Sequence, residues 1–321
     1  MLIVEDRSGR PNDFAALASA LERTLAQERS SHDCPFCVGH EQETPPVVFE
    51  IPALDGGWRM RVVPNKYPAV TTTADLPDDM ESDLPQPAWG AHEVIIESPR
   101  HLRDLTELTL DDLTVWVRVL RERLRHWAAD SRMRQAVVFK NVGFAAGASL
   151  EHVHSQLVAL PYIPDTIENE LHGARRYFDR HRRCVFCSLV EEEPRHGKRL
   201  VTANGTFVAW CAYAGRQPFE TSIVPRTHFA RFEELPDSEC EALASTIREV
   251  IARLKTQLKP LAYNLILHTA PFDTLHEQTY HWHWELVPRS THSAGFEWGN
   301  GAFINPLSPE RAAEWLRTAP I

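Results

Sequence analysis

At 321 residues, with 43% hydrophobic and 24% charged residues, the chain has the composition of a globular protein long enough for one large domain or two ordinary ones. Its formal charge of -10 excludes a general grip on nucleic acid or an anionic membrane, because both need a net basic face, so any phosphate must be bound locally. The opening MLIVEDRSGRP has a short apolar run before charge begins and no uncharged run approaches membrane-spanning length, so a cytoplasmic protein is expected.

In chain order, the first pattern is the Cys-x-x-Cys pair Cys34 and Cys37. In a reducing compartment such a pair points to a metal knuckle or a redox dithiol sooner than to a structural disulfide. WRMRVVPNKYPAV (58–70) and HEVIIES (92–98) read as strands, and a lone His101 follows. Leu113, Trp116, Val117, Leu120, Leu124 and Trp127 fall at helical spacing, with Thr109 and Asp112 placed as a capping box. QAVVFKNV (135–142) and HVHSQLVAL (152–160) read as strands around the small-residue stretch NVGFAAGASLEH. The charged stretch 165–183 reads as a join.

Beyond it the plan recurs. Cys184 and Cys187 follow Cys34 and Cys37 by 150 residues, His228 follows His101 by 127, NLILH follows VVFKN by 127, and the pair His281 and His283 follows His152 and His154 by 129. The second helix is marked by Leu243, Ile247, Val250, Ile251, Leu254 and Leu258, with Ser238 and Glu241 as its capping box. Strands are expected at TFVAWCAYA, FETSIVP, YNLILHT and HWHWELV. Four anchors in one order imply two copies of one module, 1–164 and 165–321, each with one long helix and a share of an antiparallel sheet: an α+β fold. Cys211 and Cys240 stand outside these patterns and read as packed small side chains.

Strand residues two apart share a face, about 7 Å from one another, so one histidine of a pair can bind a metal while the other faces a pocket. A closed zinc site commonly takes two Cys and two His. The chain supplies two such sets: Cys34, Cys37, His101 and His152, then Cys184, Cys187, His228 and His281. That leaves His154 and His283. The small-residue loop before His154 suits backbone amides approaching an anion, whereas His283 lies among Trp282, Trp284 and Glu285. His154 is therefore the candidate nucleophile toward phosphorus, and the second copy reads as structural.

At these residues the chain resembles the galactose-1-phosphate uridylyltransferase family of the histidine-triad superfamily, and within it the ADP-glucose phosphorylase-like branch. RSGRPNDF resembles the family's N-terminal phosphate-binding signature, PNKYPAV its nucleotide-contacting asparagine, and NVGFAAGASLEHVHSQ its active-site loop. The resemblance implies a nucleotidyl-His154 intermediate and a ping-pong transfer from a nucleotide sugar to a hexose 1-phosphate, or to phosphate. It implies that Gln156 and Ser149 stabilise charge, and that Arg7, Arg10, Asn65, Asn141 and Gly147 bind the nucleotide and its phosphates. Glu297 is implied to contact sugar hydroxyls, although Phe303 or Ile304 replaces the glutamine expected after it. The implied assembly is a homodimer with two zinc ions. Glu170, His268, His281 and His283 match an alternative second metal set of some family members; the thiolates of Cys184 and Cys187 favour the cysteine set for zinc. A histidine-triad hydrolase and a non-catalytic two-zinc binding module are the competing expectations.

Overall fold

The computed structural model describes residues 34–54, 56–73, 88–273, 275–291 and 294–321, together with the backbone of Leu2–Ile3. Its strands are β1 (Leu2–Ile3), β2 (Phe49–Pro52), β3 (Trp58–Pro64), β4 (Ala91–Ile96), β5 (Gln135–Val142), β6 (His154–Leu160), β7 (Leu200–Ala203), β8 (Phe207–Cys211), β9 (Thr221–Pro225), β10 (Tyr263–His268), β11 (His283–Pro288) and β12 (Ile304–Asn305). The helices are α1 (Leu110–Ala128), α2 (Asp165–His181), α3 (Val185–His196), α4 (Cys240–Gln257), α5 (Gly295–Asn300) and α6 (Pro309–Arg317). Strands β2 to β11 form one ten-stranded sheet in the order β2-β3-β4-β6-β5-β10-β11-β9-β8-β7, every neighbouring pair antiparallel. β1 and β12 pair in parallel apart from it.

Read inward from either edge, the order is the same: β2-β3-β4-β6-β5 on one side and β7-β8-β9-β11-β10 on the other. The two innermost strands pair with each other, Val142 opposite Tyr263 and Val138 opposite Leu267. Alternation along each strand then separates two faces. Ala136 and Val138 of β5, Leu157 of β6 and Leu265 of β10 turn to one face, where Leu113, Trp116 and Leu120 of α1 and Leu243, Ile247 and Val250 of α4 complete a common core. That core runs across residues 164 and 165 without a break. The opposite face is left to the functional side chains.

The helix α1 begins as its sequence implies, with Thr109 Oγ1 accepting the Asp112 N–H at 3.1 Å. The second capping box is not formed. Residues 237–239 make a 3₁₀ turn, so Ser238 lies inside that turn and α4 starts at Cys240 behind Glu239 with no side-chain cap. The charged join is a helix, α2, because Ile167, Leu171 and Ala174 bury a narrow apolar stripe against Ala230, Ala270 and Tyr280. His152 and His281 each stand just ahead of their strand, not within it. No described helix is long and apolar enough to cross a membrane.

Candidate active site and metal centres

Two Cys₂His₂ groups come together, on opposite halves of the sheet. In the first, His152 Nε2 donates to the Ser98 carbonyl at 2.8 Å, which leaves Nδ1 as the lone-pair nitrogen 3.5 Å from the sulfur of Cys34 and of Cys37. His101 Nδ1 lies 3.4 Å from Cys37 Sγ. In the second, His228 Nε2 donates to the Glu277 carbonyl at 2.7 Å, and Cys187 Sγ lies 3.1 Å from His228 Nδ1 and 3.7 Å from His281 Nδ1. Within each group the four ligand atoms lie within 4.8 Å of one another. A tetrahedral zinc site with ordinary bond lengths has ligand–ligand edges of about 3.3–3.8 Å, so both groups fit that ion.

The electrostatics of the two thiol pairs are compatible with a cation. Burial and the neighbouring Cys34 push the Cys37 thiol up. In the other pair Cys184 is pulled down by its hydrogen bond with Cys187, while Cys187 is pushed up by the same partner and by burial. Paired thiols cannot both ionise unless a positive ion sits between them. Such an ion would tie each Cys-x-x-Cys turn to the start of its His-x-His strand, a bracing role.

His154 opens β6 with Nδ1 donating to the His152 carbonyl at 2.7 Å, so Nε2 keeps its lone pair. Burial, then the ammonium of Lys140, pushes its pKa down to about 4, which keeps the imidazole neutral at physiological pH. The Phe36 ring meets it edge-on, centroids 5.3 Å apart, and also meets His152 at 5.9 Å, so both histidines face the same side. Behind the strand, Lys140 Nζ donates to the His154 carbonyl at 2.8 Å and to Glu97 at 2.7 Å. Ser155 Oγ donates to Glu97 and accepts from Trp116 Nε1 at 3.1 Å. Ser155 thus faces the core and not the ligand. Lys140 and Glu97 escaped sequence reasoning because they sit inside the apolar runs VVFKN and VIIES; a lysine in the inward register of a strand was the available signal.

A cavity of about 410 Å³ adjoins His154 and is lined by Phe36, Asn65, Tyr67, Ser149 and Gln156 among others. A second, of about 250 Å³, shares His154 and is lined by Lys140, Asn141 and Gly143. The loop between β5 and β6 is held by glycines where the backbone demands them. Gly147 has φ +81°, and a Cβ on Gly143 would lie 2.7 Å from the Leu261 carbonyl. The expected amide cradle is only partly there. The N–H groups of Ala146 and Ala148 bond to the Gly143 carbonyl and that of Gly147 to the Phe144 carbonyl, so a 3₁₀ turn uses them.

Side-chain amides are more prominent. Gln156 Oε1 lies 2.9 Å from His92 Nε2 and 3.3 Å from Asn65 Nδ2. Asn141 Oδ1 accepts from Asn264 Nδ2 at 2.7 Å, and Asn264 also donates to the Ala146 carbonyl at 2.9 Å. Arg289 Nε donates to Asn264 Oδ1. His92, Asn264 and Arg289 carry no motif, and sequence reasoning missed them. Glu297 stands in α5 with its carboxylate accepting the Ala294 N–H at 2.9 Å, and it lines neither cavity at His154. Arg7 and Arg10 lie outside the described residues.

The position equivalent to His154 in the other half is occupied differently. His283 stacks on His268, ring centroids 4.9 Å apart, and under Phe186 at 4.3 Å. Glu170, from α2, bonds His268 Nδ1 at 3.0 Å and Tyr280 Oη at 2.7 Å and approaches His283 Nε2 at 3.3 Å. Glu285 pairs with His268 at 3.4 Å and with Arg216 at 2.5 Å. Glu170, His268 and His283 also bring ligand atoms within 4.8 Å of one another.

Comparison with known proteins agrees with this arrangement. Sequence models of the galactose-1-phosphate uridyl transferase N-terminal and C-terminal domains match residues 58–164 and 170–315. The ADP-glucose phosphorylase of Arabidopsis thaliana is 33% identical over 325 residues, 97% of this chain and 87% of that protein. This chain belongs to the galactose-1-phosphate uridylyltransferase family. The galactose-1-phosphate uridylyltransferase of Thermotoga maritima is 27% identical, with 99% of each chain covered. Among solved structures of relatives, an Arabidopsis thaliana ADP-glucose phosphorylase with bound ADP-glucose superposes with a TM-score of 0.86 at 31% identity, covering 99% of this chain and 95% of that one. These family members are enzymes, transferases and phosphorylases named for nucleotide sugars and sugar phosphates.

Proposed function

We propose that the chain is a nucleotidyltransferase working through His154. The observation that carries this is the neutral imidazole whose Nδ1–H is tied to the His152 carbonyl and whose Nε2 lone pair opens on a cavity flanked by Gln156 and Ser149. Nε2 would attack the α-phosphorus of a nucleoside diphosphate sugar as the bond to the bridging oxygen breaks, releasing a sugar 1-phosphate and leaving a nucleotidyl-His154. A phosphate oxygen of the second substrate then attacks the same phosphorus and restores the free imidazole. No proton need leave His154 in either step, because Nδ1–H stays on the carbonyl throughout. Gln156, Asn141 and Ser149 would stabilise the phosphoryl oxygens, Asn65 and Gly147 would seat the nucleotide, and Arg7 and Arg10 would neutralise its phosphates.

We assign Cys34, Cys37, His101 and His152 to one zinc and Cys184, Cys187, His228 and His281 to a second, both bracing the fold. The halves 1–164 and 165–321 read as copies of one histidine-triad-like module, supported by the matching strand order from each edge of the sheet. Glu297 would reach a sugar from across a homodimer. Two acceptors compete. Phosphorolysis of ADP-glucose by inorganic phosphate is favoured by the 33% identity to the Arabidopsis phosphorylase and the fit to its ADP-glucose complex. Uridylyl transfer from UDP-glucose to a hexose 1-phosphate is supported by both family domains and the full-length match to the Thermotoga enzyme. Intact-mass spectrometry after separate incubation with ADP-glucose and UDP-glucose tests both. An AMP adduct, followed by its discharge with phosphate, is expected for a phosphorylase; a UMP adduct discharged by hexose 1-phosphate indicates the transferase; no adduct refutes the covalent route.

A further inference from the structure

Two short hydrogen-bond relays end on amides beside His154, and each begins at a group that can only donate. The Ala69 N–H meets His92 Nδ1 at 3.1 Å, which makes that nitrogen the acceptor and puts the ring proton on Nε2. Nε2–H then points to Gln156 Oε1 at 2.9 Å. Its other neighbour, Asn65 Nδ2 at 3.1 Å, is a donor as well, because Asn65 Oδ1 already accepts the Tyr67 N–H at 2.8 Å. Asn65 Nδ2 therefore also serves Gln156 Oε1, at 3.3 Å. With its carbonyl accepting twice, Gln156 has only its NH₂ left to offer the cavity it lines with His154.

The second relay has the same logic from the other half of the sheet. Arg289 Nε can only donate, and it donates to Asn264 Oδ1. Asn264 Nδ2 is thereby fixed as the donor to Asn141 Oδ1, at 2.7 Å, and to the Ala146 carbonyl, at 2.9 Å. The NH₂ of Asn141 is left over, on a residue lining the second cavity at His154.

Resting on nucleotidyl transfer at His154, we propose that His92 and Asn264 are positioning residues that fix the polarity of the Gln156 and Asn141 amides, so that each presents NH₂ rather than a carbonyl to the phosphoryl group under attack. An amide is nearly symmetric in shape, so shape alone does not choose its orientation. A reversed amide would aim a lone pair at an anion in a partly dry site, where one missing donor costs about 10²–10³-fold in rate.

The test uses full-length protein and follows nucleotidyl-His154 formation by rapid-quench intact mass with ADP-glucose and with UDP-glucose. His92→Glu and Asn264→Asp supply acceptors only and should turn the amides around. They are expected to slow labelling by about 10²-fold or more, whereas His92→Gln, which accepts and donates as His92 does, should lose less than about 10-fold. Added to Gln156→Ala, His92→Glu should cost nothing further, and likewise Asn264→Asp added to Asn141→Ala. Equal losses in His92→Glu and His92→Gln, or losses that persist in the alanine backgrounds, overturn the proposal and leave simple packing. Wild-type protein that never labels sinks the nucleotidyl-transfer assignment and this inference with it; wild-type labelling with unimpaired acceptor-only variants sinks this inference alone.

Discussion

The site at His154 and its counterpart at His283 start from the same local grammar and end as different chemistry. Each follows a cysteine-linked histidine by two residues, opens a strand, sends Nδ1 to the carbonyl of that histidine, at 2.7 Å and 3.1 Å, and touches the phenylalanine of its Cys-x-x-Cys pair. Around His154 a buried ionic pair, Lys140 with Glu97, sits behind the strand, and the front is a cavity. Around His283 the front is filled by Glu170, His268, Tyr280 and Phe186. What separates a candidate nucleophile from a structural residue here is what covers the imidazole, not how it is held.

The largest effect should come from removing the two imidazoles in turn. His154→Asn is expected to lower turnover by at least about 10⁴-fold, as loss of a covalent nucleophile does, whereas His283→Asn should change it by less than about 10-fold. Steady-state rates with each nucleotide sugar decide this, and a comparable loss in both would erase the distinction.

Next come the proposed metal ligands. Cys34→Ser and Cys184→Ser should each lower bound zinc by one ion per chain and destabilise the fold by roughly several kcal/mol, read by elemental analysis and thermal unfolding. Only Cys34→Ser should also reduce the rate per folded molecule, because its site shares the His152–His154 turn.

A pH series separates the two surroundings further. Burial disfavours charge on His268, but the hydrogen bond with Glu170 and the ion pair with Glu285 outweigh it and lift His268 to about 10. A histidine raised in the folded state stabilises fully below its ordinary value of 6.5 and loses that contribution as pH rises through 10. Thermal stability should therefore fall between pH 7 and 10, and His268→Gln should flatten that fall. Over the same range His154, held near 4, stays neutral.

The smallest difference is expected at the phenylalanines. Phe36→Leu should raise the KM for the nucleotide sugar several-fold, since Phe36 lines the cavity, whereas Phe186→Leu should cost about 1 kcal/mol in urea unfolding with KM unchanged.

The two long helices were legible because Leu113 to Trp127 and Leu243 to Leu258 carry an unbroken apolar period. The α2 helix was not, because three apolar residues, Ile167, Leu171 and Ala174, are its whole buried stripe. β2 was also missed, with an intermediate and exposed pattern that resembles a loop.

By itself the sequence named the two Cys₂His₂ groups that the fold brings together, the paired His-x-His phrases and the candidate His154, because those are statements about residue type and spacing. Only the tertiary structure decided what each imidazole faces and which way the neighbouring amides point. Glu170 is 98 residues from the His268 it holds, Gln156 is 64 from His92 and Asn141 is 123 from Asn264. Burial, proton position and amide polarity depend on such remote contacts, and a local pattern holds no record of them.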